Sequence, residues 1–424
     1  MRNWVLTTKC ALSIVFVMIV FSAHAATLDW PQFMGPDRNC IAQDVKGLPS
    51  TFDEKTVRQL WVLDLGSGFA APVIFNGSVF ILDREGNERD VLRRIDLVTG
   101  REQWRFAYPA PGKLDYNGSR QSPAVDEKMV YTIGPFGHMH GVRIEDGKPV
   151  WSAHLIKDWG GEFPHWGVAQ SPLLMGDKIV IAPWGKRAAV AALDKATGKP
   201  VWTSPNPDGI VLDYQSPVPM LVGERQTIVA SGKEGYTIGV DAATGARLWT
   251  YKGYKCRHHI PSPAVLDGGR ILLTGGYGAG AAMIQIAEID GKWTVREIWK
   301  GFGVASKIPQ PIIYGGYIYS NSSDNRGGLR CTDQNGNVVW DSKNKRVVFD
   351  MGNLILVEGM IFIVDGKSGS LHIVKADPEA YKEVGRLFPL SGKEIWAPLA
   401  YSDGKLVLRD QRKMVCLQLR RQGD

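Results

Sequence analysis

Leu193-Asp194-Lys195-Ala196-Thr197-Gly198-Lys199-Pro200-Val201-Trp202 is the stretch whose reading decides the fold. An apolar run leads into Asp194, and a second extended run carries Trp202. Between them, Asp and Thr side chains bond nearby backbone and Gly198 tolerates positive φ, the chemistry of a tight turn. The unit is therefore two strands joined by a hairpin, with a large flat ring at a fixed place on the second strand.

Two further copies keep the spacing: Ile95-Asp96-Leu97-Val98-Thr99-Gly100-Arg101-Glu102-Gln103-Trp104 and Val240-Asp241-Ala242-Ala243-Thr244-Gly245-Ala246-Arg247-Leu248-Trp249. Weaker copies end at Trp151, Trp299 and Trp340. The gaps between successive tryptophans are 47, 51, 47, 50 and 41 residues. A period in the forties is that of one four-stranded propeller blade. A ring recurring at one place in each blade can pack between neighbouring sheets.

A second mark recurs at the other end of the unit. A small or polar residue and a Pro precede a short apolar strand at Pro72, Pro123, Pro172, Pro217, Pro263, Pro311 and Pro398. Gly352-Asn353 before Leu354-Ile355-Leu356-Val357 makes an eighth, without Pro. Proline suits the first residue of a strand, where no ladder N–H is lost. The last unit lacks a Trp-bearing strand, and Leu60-Trp61-Val62-Leu63 near the N-terminus supplies one. These readings predict an all-β, eight-bladed β-propeller of four-stranded antiparallel blades. The N-terminal strand with Trp61 completes the last blade and reduces open sheet edges. The domain would run over 59–424, with 26–58 an irregular segment lying across it.

The first 25 residues read as a signal peptide. Arg2 and Lys9 precede an apolar run from Ala11 to Phe21, and Ala23-His24-Ala25 has the small-x-small pattern of a cleavage site. The run is too short to serve comfortably as a transmembrane anchor, which needs about 20 residues. Cys10 precedes the run, so no lipoprotein cysteine is in place. Export to the periplasm or medium follows, as a monomer without a transmembrane anchor. A formal charge of +7, two of it from Arg2 and Lys9, does not call for nucleic acid. Cys40, Cys256, Cys331 and Cys416 form no CxxC pair, which removes the usual zinc and redox motifs. Cys331 and Cys416 lie in apolar runs and read as buried free thiols.

The Asp-x-x-Thr-Gly-x-x-x-Trp unit resembles the tryptophan-docking motif of pyrroloquinoline quinone (PQQ) type propellers. Trp30-Pro31-Gln32-Phe33-Met34-Gly35-Pro36 is similar to the opening of exported PQQ-like repeat proteins. The resemblance covers nearly the whole chain after residue 25. It implies one of two things. One is a cofactor-free binding or scaffold propeller in the cell envelope, like the propeller lipoprotein of the outer-membrane barrel-assembly machinery. The other is a quinoprotein alcohol or sugar dehydrogenase that uses PQQ and calcium. The chain lacks the adjacent Cys-Cys pair that many such dehydrogenases carry and is short for the large ones, so the cofactor-free reading is preferred. The missing lipoprotein cysteine separates it from the assembly scaffold.

In a propeller, inter-blade connections and second-to-third-strand loops share one face around the channel mouth. The connections deliver Arg120, His165, Trp166, Tyr214, Arg257, His258, Lys307 and Trp396 as candidate ligand-binding residues, with Tyr116, Asn117, Asp213, His259 and Asp350. The other loops deliver Arg84, His138, Trp184, Lys186, Arg187, Lys233, Arg326, Lys367 and Arg409. Cations around a concavity attract anions, and aromatics beside them stack on sugars or flat rings. Lys and Arg in loops also serve solubility alone. The expected partner is an envelope protein or an anionic glycan. His258 and His259 are adjacent, and neighbours on a strand face opposite ways, so they make a poor metal pair. His138 and His140 share a strand face but lack a third ligand. For calcium, Asp350 with Asn353 and Asp324 with Asn325 are the available pairs, and each also reads as turn chemistry. No facing pair of carboxylates suggests glycoside hydrolysis.

Overall fold

In the three full copies of the repeat the hairpin turn is built by its aspartate. Asp194 Oδ1 accepts from the Thr197 N–H at 2.9 Å and its hydroxyl at 2.7 Å, and Gly198 follows at φ +70°. Asp96 with Thr99 and Asp241 with Thr244 repeat the bonding. The computed structural model describes residues 29–324 and 327–419. The proposed signal peptide and its cleavage site lie outside the described residues.

The strands form eight sheets of a β-propeller. Blades 1 to 7 lie within 73–109, 124–154, 173–204, 218–251, 264–301, 312–341 and 354–387. Within every blade the four successive blade strands pair antiparallel. Blade 8 joins both ends of the chain: Val57–Asp64 pairs antiparallel with Lys413–Leu419, so that Trp61 faces Cys416. Closure by the N-terminal strand is thus the observed arrangement, and it covers the edge that Lys413–Leu419 would otherwise leave open.

Tryptophan fixes six of the eight blades to the next. The indole N–H of Trp151 donates to Lys195 O in blade 3 at 2.9 Å. Trp61, Trp104, Trp202, Trp299 and Trp340 make the same bond to Leu97, Ile144, Ala242, Gln334 and Asp377, at 2.8 to 3.2 Å. Each acceptor lies in the third-to-fourth-strand connection of the following blade. The ring lies over the turn glycine: a Cβ on Gly198 would sit 2.6 Å from Trp151, and one on Gly100 2.7 Å from Trp61. Trp249 is the exception, buried with no partner for its N–H. In blade 5 the strands Gly280–Ile289 and Lys292–Gly301 run ten residues each to a bare Asp290-Gly291 turn. There Tyr251 instead donates to Glu297 at 2.6 Å.

The first strands are tied in a second belt. Ser122 N–H donates to Ser171 Oγ, Ser171 N–H to Ser216 Oγ, and Ser216 N–H to Ser262 Oγ, at 2.9 to 3.1 Å. The N-terminal segment crosses the opposite end of the channel, where first strands turn into second strands. Trp30 bridges to Ile74 of blade 1, Pro31 O accepts from Val125 of blade 2, and the Arg38 guanidinium donates to Pro172 O of blade 3. Ile41–Ala42 then pairs in parallel with Leu356 and Val357, giving blade 7 a fifth strand.

All four cysteines of this region are buried free thiols. Burial pushes Cys40 and Cys416 up to about 12, and Cys256 and Cys331 to about 11. Little thiolate exists at neutral pH to react. The native protein should therefore give no fast reaction with Ellman's reagent at pH 7.5, and all four thiols should react in denaturant. For the docking motif, Gly198→Ala should cost about 2–3 kcal/mol, since it adds a clash to an unfavourable φ. Gly223→Ala, at φ +59° with nothing within 4 Å of the new methyl, should cost only about 1 kcal/mol. Urea unfolding followed by tryptophan fluorescence separates the two.

Candidate functional site

The inter-blade connections converge on a cavity of about 200 Å³ at the channel mouth. Of the candidate residues, Tyr116, Arg120, Trp166, Tyr214, Lys307 and Trp396 line it. Its wall includes Ser171, Ser216 and Ser262 of the belt, with Gln310 and Asn353 at the equivalent places in blades 6 and 7. Phe33, from the N-terminal segment, reaches the same cavity from the far end and lies under the Arg38 guanidinium at 5.8 Å.

Two aromatic clusters flank the cavity. Trp396 stacks on Phe69 at 5.6 Å and meets Tyr116 at 5.4 Å. Its ring is held from behind: the indole N–H donates to Asp350 Oδ2 at 3.3 Å and Asn353 Nδ2 donates to its carbonyl at 2.6 Å. Trp166 packs on Tyr214 and His258 at 5.3 and 4.7 Å, and His258 meets Tyr277 at 5.3 Å. His165 is exposed, edge-on to Trp166 and 3.7 Å from Asp115. Arg257 is exposed beside His258 and does not line the cavity.

The two lining cations differ. Arg120 donates to the carbonyls of Gly118, Asp115 and Tyr116 at 2.7 to 2.8 Å, which folds its own loop around it. Burial lowers it to about 10, and the guanidinium lies 5.7 Å from the Phe69 ring. Lys307 lies 4.7 Å over Tyr277. Neither forms an ion pair among the described residues. Beneath the Trp166 cluster, Asp213 accepts from the His259 N–H at 2.8 Å. Burial raises its carboxyl to about 7 and drops the enclosed His259 to about 3.

Several loop residues expected on the face are internal. Arg84 pairs with Asp90 at 2.8 Å, both side chains fully enclosed, and donates to Ala110 and Gly112 carbonyls. Arg409 donates to Gly66, Asp410 and Gln411 carbonyls, and Trp184 is buried. Loop position alone does not separate a rim cation from one that ties loops together. His138 and His140 do share a face, against Tyr108. Among the described residues no three His, Cys, Asp or Glu side chains converge on a metal position. Phe33, Phe69 and Tyr277 are the aromatic residues of the site that sequence reasoning missed. Only their aromatic character within turn-rich stretches could have marked them. Ser171, Ser216, Ser262 and Gln310 stood in the sequence reading only beside strand-start prolines.

Calcium takes six to eight oxygen ligands, carboxylates foremost. No Asp or Glu lines the cavity. Asp350 is bonded to Trp396, and Asp324 Oδ2 accepts from the Gly278 N–H at 2.7 Å. Asn325 lies outside the described residues. This donor set does not fit calcium.

A family model described as outer membrane protein assembly factor BamB matches residues 31–163 and 157–377. A search of curated proteins finds no match. Among solved structures, the chain is similar to BamB from Moraxella catarrhalis, with a TM-score of 0.60 at 16% identity, over 85% of this chain and 97% of that one. It is similar to the quinohemoprotein alcohol dehydrogenase from Comamonas testosteroni, with a TM-score of 0.62 at 12% identity, over 92% of this chain and 80% of that one. A europium-containing methanol dehydrogenase gives 0.59 at 12% identity, over 91% and 89%. At these identities the likeness concerns the fold.

The buried Asp213 yields a signed prediction. Burial pushes its folded carboxyl up to about 7, against an ordinary 3.8, so between those pH values the native state holds a proton that the unfolded chain has lost. That lowers stability progressively between pH 4 and 7, and the penalty is complete above pH 7. Asp213→Asn should raise the thermal midpoint at pH 8 and leave it nearly unchanged at pH 4. An equal rise at both pH values would show that ionisation of Asp213 is not the cause.

Proposed function

We propose, on the premise that this chain belongs to the PQQ-like propeller family of outer membrane protein assembly factor BamB, that it is an exported binding or scaffold propeller of the bacterial cell envelope. Its ligand face is the channel mouth, and its partner is an envelope protein or an anionic glycan. The observation that carries this reading is the cavity itself: aromatic walls and two cations without an ion-pair partner, with no lining carboxylate. Such a site attracts an anion and offers flat apolar surface. It holds no group placed as a general base for alcohol oxidation. Residues 1–25 serve in this reading as a cleaved leader, which places the protein in the periplasm or outside the cell as a monomer. No described helix is long and apolar enough to cross a membrane.

The competing reading is a PQQ- and calcium-dependent dehydrogenase, favoured by fold likeness. A thermal-shift titration with PQQ and Ca²⁺, separately and together, decides between them. A native-state ligand at about 100 times its Kd adds about 2.7 kcal/mol. No saturable rise is expected. A rise that is larger with both present, with dye reduction on an alcohol panel, would establish the dehydrogenase. Arg257→Glu and Lys307→Glu should together abolish ligand capture from envelope extract. Undiminished capture by the double variant overturns the mouth as ligand face.

A further inference from the structure

The cavity is a cup, open towards the mouth and floored by Phe33. Its volume is below the roughly 300–1,000 Å³ of pockets that enclose drug-sized molecules. It therefore suits one six-membered ring better than a fused polycycle.

The polar groups of the wall say what kind of ring. Ser171, Ser216 and Ser262 each use Oγ to accept a main-chain N–H from the preceding blade. Their hydroxyl protons have no acceptor among the described residues, and a serine hydroxyl can donate while it accepts. Gln310 spends Nε2 on Ser262 O, while its Oε1 is buried without a partner. A buried acceptor left open costs stability unless something donates to it. The wall thus presents three hydroxyl donors and one amide acceptor. A ligand that answers both carries several hydroxyls. Carbonyls satisfy part of the Arg120 guanidinium but do not neutralise it, and Lys307 makes only its ring contact. The same ligand carries an anionic group.

We infer that the cup binds one carboxylated sugar residue of the hexuronic acid class, rim to floor. Its carboxylate meets Arg120 and Lys307, its ring lies against the Trp396 or Trp166 wall, and its hydroxyls bond the serine belt and Gln310. This rests on the mouth being the ligand face and adds the identity of the ligand. The chemistry is shared by a free sugar acid and by a uronate residue of a glycan chain.

Isothermal titration calorimetry of the mature protein with D-galacturonate, D-glucuronate and trigalacturonate tests it. D-glucose and benzoate serve as controls that lack the charge or the hydroxyls. At least one uronate should bind saturably, and both controls at least tenfold more weakly, since a charge-assisted bond or a set of hydroxyl bonds is then missing. Lys307→Met, which breaks no hydrogen bond of the fold, should weaken uronate roughly tenfold and leave the thermal midpoint in place. Trigalacturonate binding more tightly than the monomer identifies a glycan chain as the source; equal affinity identifies the free acid. Glucose binding as tightly as uronate overturns the proposal, and so does benzoate binding in its place. If no sugar acid binds but the double variant still loses capture from extract, the mouth remains the ligand face and the sugar-acid inference falls.

Discussion

An indole laid over the following blade's hairpin turn, with its N–H bonded to a carbonyl there, sets six of the eight blades against the next. The contact needs three things at once. The aspartate must hold the turn, the glycine must lack a Cβ where the ring lies, and a carbonyl must point at the indole. Gly198 under Trp151 shows all three. Burying the ring supplies the apolar contact, and the hydrogen bond fixes its orientation. Where one component is missing the other interactions change. Blade 5 has a two-residue turn, and Trp249 loses its carbonyl.

The same logic explains the seam. The outer strand of blade 7, Glu383–Leu387, carries no tryptophan. The next blade is assembled from the two ends of the chain, so its third and fourth strands, Lys413–Leu419 and Val57–Asp64, are joined by no turn. There is no turn glycine for a ring to cover. On the other side of the seam Trp61 does dock on Leu97 of blade 1. Hydrogen bonding from Val57 to Asp64 closes the ring where the repeat motif has nothing to grip.

The blades, their number and the closing strand were legible because they rest on period and turn chemistry, which are local. The site was legible in part. Arg120, Trp166, Tyr214, Lys307 and Trp396 were placed by connectivity, since every inter-blade connection must reach the mouth. Phe33 was not, because its position depends on how residues 30–42 cross four blades, through main-chain bonds and the Arg38 guanidinium, contacts that no repeat spacing encodes. Tyr277 and Phe69 reach the cavity through loop conformations that no spacing encodes. Arg84 and Arg409 are a different failure. Both occupy rim loops by topology, yet both turn inward because carbonyls converge there to receive them.

That contrast separates structural cations from available ones. Arg84 is neutralised by Asp90, and Arg409 is fully enclosed, held by the carbonyls of Gly66, Asp410 and Gln411 with the Asp83 and Asp410 carboxylates acting on it only through space. Arg120 has only the dipoles of its own loop, although burial has already stripped much of its water. A guanidinium in that state keeps a demand for negative charge that neutral carbonyls do not meet. The belt below it has a parallel imbalance, with serine protons and an amide oxygen left over after the blades are tied together. Both surpluses face one cavity, and the N-terminal segment stops that cavity at the far end. The interactions that hold the ring together thus leave part of their hydrogen-bonding capacity facing a cavity that opens at the mouth.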